Sequence, residues 1–241
     1  MLAAFFLISF FSEGIGTVVG FGSSTILLPL SLFFFNFTTA LVLVAFFHLF
    51  GNLSRVGLFR GGLDKNIVVK FGIPSVIFSI LGALLVKYVS QDLLKGILGL
   101  FLFVYSGAFL WKENIKIKVN LFNILLGGSI SGFLAGLIGT GGALRGAFLG
   151  SFRLPKEKYI ATSAFIAIIV DATRIPAYLR EGFLQSSYNW YLLVLFPVAI
   201  MGSLLGKKIV EKIPQKSFRK VILVAILLMS LQFIYIGLIK H

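Results

Sequence analysis

Three arginines, Arg55, Arg145 and Arg174, stand inside long apolar stretches, and each has polar company at a fixed spacing. His48, Asn52 and Arg55 fall at i, i+4 and i+7, so a helix through them would place all three on one face. Asp171, Arg174 and Tyr178 fall at i, i+3 and i+7, and the first two can pair along the helix. Arg145 follows the run Gly139-Thr140-Gly141-Gly142, and a second glycine turn, Gly20-Phe21-Gly22, is followed by Ser23, Ser24 and Thr25. Glycine lets backbone amides come close to a ligand, and a helix that starts just after such a turn offers free N–H groups and partial positive charge. Amides, hydroxyls and guanidinium groups together could hold an oxyanion without any metal. The candidate binding residues are therefore Gly20, Gly22, Ser23, Ser24, Asn52, Arg55, Gly139, Thr140, Gly141, Gly142, Arg145, Asp171 and Arg174, with Asn52 and Asp171 orienting their neighbours.

Glu13 sits beside Gly14 in the first apolar stretch. A carboxylate at that depth can carry a coupling proton, or it can pair locally, for instance with Arg145. A charge at the bilayer centre costs roughly 2.5–3.5 kcal/mol on insertion scales, so such residues are either paired or line a polar path. Arg55 and Arg174 lie close enough to the ends of their stretches that snorkelling to the interface is the competing explanation. His48, with no cysteine and no carboxylate near it in sequence, cannot form a zinc site and reads as a hydrogen-bonded helix contact.

The elements that position these residues are set by a duplication. Gly20, Gly22, Asn52 and Arg55 recur as Gly139, Gly141, Asp171 and Arg174, each pair 119 residues apart. Apolar segments run roughly over 2–19, 23–35, 39–59, 67–86, 94–111, 121–138, 143–152, 159–179, 188–206 and 218–239, half of them on each side of a Lys- and Asn-rich linker at 112–120. The chain thus divides into one repeat over 1–111 and a second over 121–241. The second and seventh segments are too short to span comfortably and follow glycine turns, so each is expected to close a re-entrant hairpin or a broken helix. Each half then makes an odd number of net crossings, and the repeats are expected to be inverted. Basic residues support this: Arg60, Lys65, Lys112, Lys116, Lys118, Arg153, Lys156, Lys158 and the cluster from Lys207 to Lys220 gather on one side, against Lys87, Lys95, Arg180 and Lys240 on the other. The richer side is expected to be cytoplasmic, with the N-terminus outside.

Composition agrees. The chain has 241 residues, 58% apolar and 12% charged, where a soluble domain has about 25% charged residues. Length allows about eight to ten crossings and little else. The expected fold class is an all-α integral membrane protein of two tandem, inverted repeats with glycine-rich re-entrant or broken helices. The start, MLAAFFLISFFSEG, lacks the basic region of a cleaved signal peptide and reads as the first membrane segment. No cysteine is present, which excludes disulfides and thiolate metal sites. The net charge of +14 is better explained by cytoplasmic loops than by nucleic acid, since no basic stretch is long enough for a binding domain.

The runs GIGTVVGFGSS and LAGLIGTGGALRG, followed by NLSRVGLFRGGL and DATRIPAYLREGF, resemble the sulfite exporter TauE/SafE family of permeases over nearly the whole chain. Pro29 of repeat one resembles the family's turn, whereas the equivalent position of repeat two is Phe148. The resemblance implies an inner-membrane permease for small sulfur-containing anions, such as sulfite, sulfoacetate or other sulfonates. The expectation is transport by alternating access of one repeat against the other, coupled to protons or the membrane potential, with Glu13 the proton candidate and no metal or cofactor. There is no P-loop for ATP and no Gly-x-Ser-x-Gly nucleophile motif, which disfavours an ATP-driven pump and an intramembrane enzyme. A cation permease would need several membrane carboxylates, and a non-transporting scaffold would need no buried charge where the repeats meet. Small-residue stripes such as Gly128-x-x-x-Gly132-x-x-x-Gly136 serve helix packing and are compatible with a homodimer.

Overall fold

A computed structural model describes residues 2–19, 22–59, 62–112, 117–152, 154–210 and 215–239. Gly20, together with Phe21 and with the basic residues Arg60, Lys116, Arg153, Lys212 and Lys240, lies outside them. The described residues form α1 (Leu2–Val19), α2 (Ser24–Ser31), α3 (Phe37–Leu58), α4 (Lys65–Leu85), α5 (Gln91–Trp111), α6 (Leu121–Ile138), α7 (Gly142–Gly150), α8 (Lys156–Arg180), α9 (Asn189–Val210) and α10 (Gln215–Ile234). Every apolar segment read from the sequence became a helix, and boundaries moved by only a few residues, mostly where polar caps extend the apolar run. Asn36, Asp64, Ser90 and Asn120 each accept the amide three residues on, which satisfies one of the free N–H groups at the start of α3, α4, α5 and α6. α6 stops at Gly139, whose φ of 72° is the left-handed cap that glycine tolerates best. Seven helices among the described residues are long and apolar enough to cross a membrane, and this is a multi-pass membrane protein. Side chains such as Val104, Phe122, Leu193 and Leu228 are exposed and fit a lipid-facing surface.

The two short helices turn the chain back on itself. The rings of Phe5, near the start of α1, and Phe35, just after α2, lie 4.9 Å apart, so this pair begins and ends at the same end of the molecule. Likewise, the Ile117 amide, just before α6, donates to Ser151 Oγ, just after α7, at 3.1 Å. The two hairpins open toward opposite ends. Phe35 meets Tyr188 where α9 begins, whereas Ser151 lies where α8 begins.

Close helix contacts depend on absent side chains. α4 packs along α6, and a methyl group added to Gly132 or Gly136 would run into the Ser75 or Ser79 carbonyl. Gly202 and Gly206 of α9 do the same for α1, where a methyl group would come within 2.8 Å of the Phe10 and Gly14 carbonyl oxygens. The stripe on α6 is therefore taken up inside the chain by α4. Gly136→Leu is expected to lower stability by at least about 1–3 kcal/mol, the usual cost of overpacking, measured as the midpoint of thermal unfolding in detergent.

Candidate functional site

α3 and α8 lie against each other at the centre of the molecule and carry most of the polar side chains. The spacing that predicted a shared face on α3 is realised. Asn52 Nδ2 donates to the His48 carbonyl at 2.7 Å, and its Oδ1 accepts from Arg55 Nη1 at 3.0 Å. Arg55 is 5% exposed and does not snorkel. Its Nη2 lies 2.5 Å from Glu13 Oε1, and its Nε donates to Thr17 Oγ1 at 3.0 Å. Glu13 also accepts from Ser203 of α9 at 2.8 Å. The carboxylate thus pairs with Arg55, not with Arg145 as the sequence suggested, because the end of α1 lies beside α3 and α9.

On α8 the expected pair forms within one turn. Arg174 Nη2 and Nε lie 2.7 and 2.9 Å from Asp171 Oδ1. Arg174 is 1% exposed, and its Nη1 donates to the Ala135 carbonyl near the end of α6. Tyr178 donates to the Gly136 carbonyl, so this face of α8 bonds the carbonyls at the end of α6, one of which, Ala135, also accepts the Gly139 amide. Asp171 Oδ2 meets His48 Nδ1 at 2.8 Å, joining the polar faces of α3 and α8.

Arg145 differs from both. It is 4% exposed, donates from Nε to Ser163 Oγ at 3.0 Å, and makes no ion pair with any described carboxylate. It faces a small cavity of about 20 Å³, room for about one water molecule, lined also by Arg55, Asn52, Thr17, Gly22 and Ser163. A buried cation with no counter-charge is costly, and a cavity bounded by two guanidinium groups, an amide and hydroxyls is electrostatically complementary to an anion.

Of the candidate binding residues, Gly22, Asn52, Arg55 and Arg145 border this cavity. Gly22 has φ 84°, which only glycine adopts freely. Ser23 and Ser24 are buried at the start of α2, and among the described residues Ser23 Oγ has no hydrogen-bond partner. Gly139, Thr140, Gly141 and Gly142 form the second turn, away from the cavity. There Thr140 bonds Thr25 across the hairpin tips at 2.9 Å, and the Gly141 carbonyl accepts from Ser131 at 2.8 Å. Asp171 and Arg174 also stand back from the cavity wall, and Asp171 bonds His48, whose ring lies against Gly22 of that wall. Thr17, Tyr159 and Ser163 line the cavity but were not singled out from the sequence. Thr17 lies inside the glycine-rich run, whereas Ser163 has the apolar Val44 119 residues earlier and gave no signal.

The sequence profile described as sulfite exporter TauE/SafE matches residues 5–233. The chain belongs to the TauE/SafE family. This family member is 28% identical to the probable membrane transporter protein MJ0441 of Methanocaldococcus jannaschii, over 91% of its own length and 90% of that relative's. It is 32% identical to the probable membrane transporter protein YunE of Bacillus subtilis, over 45% of its own length and 40% of that relative's. No solved structure shows a significant match to it. Family membership and the apolar helices together make it a membrane transporter.

Proposed function

We propose that this TauE/SafE protein carries small sulfur-containing anions, sulfite or organosulfonates, and that the anion sits between Arg145 and Arg55. The observation that carries the proposal is Arg145, a buried guanidinium facing a cavity and paired with no described carboxylate. Glu13 and Asp171 balance Arg55 and Arg174, which leaves one positive charge over for the ligand. A cation permease fits poorly, because both carboxylates in this region are already held by arginines. A scaffold has no use for an uncompensated buried cation. The sulfur chemistry rests on the family description and not on any contact.

Alternating access between inverted repeats is the mechanism we favour. Two observations support it: hairpins that open toward opposite ends, and helix contacts that keep their pattern when the halves are exchanged. α1 packs on α9 as α6 packs on α4, and α3 packs on α9 as α8 packs on α4. A proton taken by Glu13 would weaken its hold on Arg55 and turn that guanidinium toward the anion, the coupling role expected from the sequence.

The test is flux of radiolabelled sulfite into proteoliposomes, with competition by unlabelled sulfonates and by a divalent cation. Saturable uptake, inhibited by sulfonates and reduced at least about tenfold by Arg55→Ala, is expected for loss of a charge-assisted contact. Arg174→Ala is expected to reduce flux as well. Absence of flux, or inhibition by the cation alone, would reject the anion reading.

A further inference from the structure

His48 is 3% exposed and bonded on one side only. Its Nδ1 lies 2.8 Å from Asp171 Oδ2, and a carboxylate can only accept, so Nδ1 carries the hydrogen. Asp171 is fixed in turn by Arg174 through its other oxygen. In the neutral ring Nε2 therefore has a lone pair, and among the described residues Nε2 has no hydrogen-bond partner. It looks toward the glycine turn, because a methyl group on Gly22 would come within 2.9 Å of Nε2. Gly22 lines the cavity that holds Arg55 and Arg145. An unpartnered, buried imidazole nitrogen thus points at the wall of the anion site.

Burial away from water first, and then the charged neighbours, decide when that nitrogen takes a proton. Around His48, α8 presents Asp171 and, behind it, Arg174; α7 presents Arg145; α3 itself presents Arg55, which is neutralised by Glu13 of α1. α2 contains no titratable residue. On α9, Lys207 is held at the far end by the Leu58 carbonyl, and Tyr191 sits at the other end among Phe5 and Phe35. On α5, Asp92 and Lys95 pair with each other at its exposed start. With the cavity empty, the unpaired Arg145 repels a second positive charge nearby. An anion between the arginines cancels that repulsion, and the protonated ring then has a carboxylate at Nδ1 and, beyond Gly22, the anion.

We infer that His48 takes up a proton at Nε2 when the anion binds, so that proton uptake is built into substrate binding. This rests on the anion-carrier reading above. The proton comes from a hydronium ion of the aqueous phase: its O–H bond breaks, an N–H bond forms with the Nε2 lone pair, and water is left. Linkage fixes the sign: the anion and the proton each strengthen the other's binding by the same factor. Affinity is greatest at low pH and weakens as pH rises, by up to about tenfold per pH unit for one linked proton.

Methanesulfonate is a suitable probe, because its own charge does not change between pH 5 and 8. The intact chain has only two histidines, so selective nitrogen-15 labelling gives two sets of ring signals, and His241→Gln identifies those of His48. In the purified wild-type protein, saturating methanesulfonate is expected to move the His48 signals from the neutral toward the doubly protonated pattern within pH 5–8, the range in which histidine switches. In parallel, equilibrium binding is expected to weaken with rising pH in the wild type and to become flat in His48→Gln. Binding that is independent of pH, or a His48 signal unmoved by a ligand that binds, overturns this inference and leaves the anion site standing. No binding at any pH overturns both. The wild-type spectra decide even if His48→Gln fails to fold.

Discussion

Replacing Arg145 with methionine is expected to weaken sulfonate binding by about ten- to a hundredfold while raising the stability of the empty protein. The first effect follows from losing a charge-assisted contact worth about 1.5–3 kcal/mol. The second follows from removing a charge that is buried with no ion pair to a described carboxylate and, among the described residues, hydrogen-bonded through Nε to the Ser163 hydroxyl. The two effects have opposite signs and are read separately, affinity by equilibrium binding and stability by thermal unfolding in detergent. A residue kept for packing would lose stability on substitution and leave affinity alone. A residue kept for the ligand shows the reverse, because stability has been given up locally for function. Unchanged affinity in a well-folded Arg145→Met protein would remove the residue from the site.

The largest loss of stability is expected at Asp171. Asp171→Ala leaves Arg174 buried without a carboxylate and His48 Nδ1 without an acceptor, on helices from both halves of the chain. Breaking a buried pair by removing one partner costs about 3–5 kcal/mol. Removing both charges, as Asp171→Leu with Arg174→Met, is expected to recover most of that loss and to leave transport impaired. The comparison is made by unfolding midpoints of the two variants. Equal midpoints would mean that Arg174 is sufficiently satisfied by the Ala135 carbonyl and that the carboxylate is dispensable for folding.

The helices were legible because the bilayer leaves little choice. Apolar runs such as 94–111 and 121–138 are bounded by Ser90 and Asn120, which satisfy the helix starts that lipid cannot. The shared face of Asn52 and Arg55 and the pairing of Asp171 with Arg174 were equally legible, since three- and four-residue spacings are local geometry. What spacing cannot carry is the company that a face will keep. Glu13 was weighed against Arg145 and found Arg55, and His48 looked carboxylate-poor although Asp171, 123 residues away, reaches its ring. The cavity is assembled from α1, α3, α7 and α8, so Ser163 and Thr17 join it only through tertiary packing.

The glycine contacts also bear on what can be cut. α1 belongs to the first half by sequence and is fastened to α9 in the second, while α6 is fastened to α4 in the first. Each half therefore contains one long helix whose close-packed partner lies in the other, much as two hands clasp with fingers interleaved. A break in the linker at 112–120 severs none of these contacts, so the two fragments made together can still complete one another. Either fragment alone lacks the surface on which its own first helix folds down.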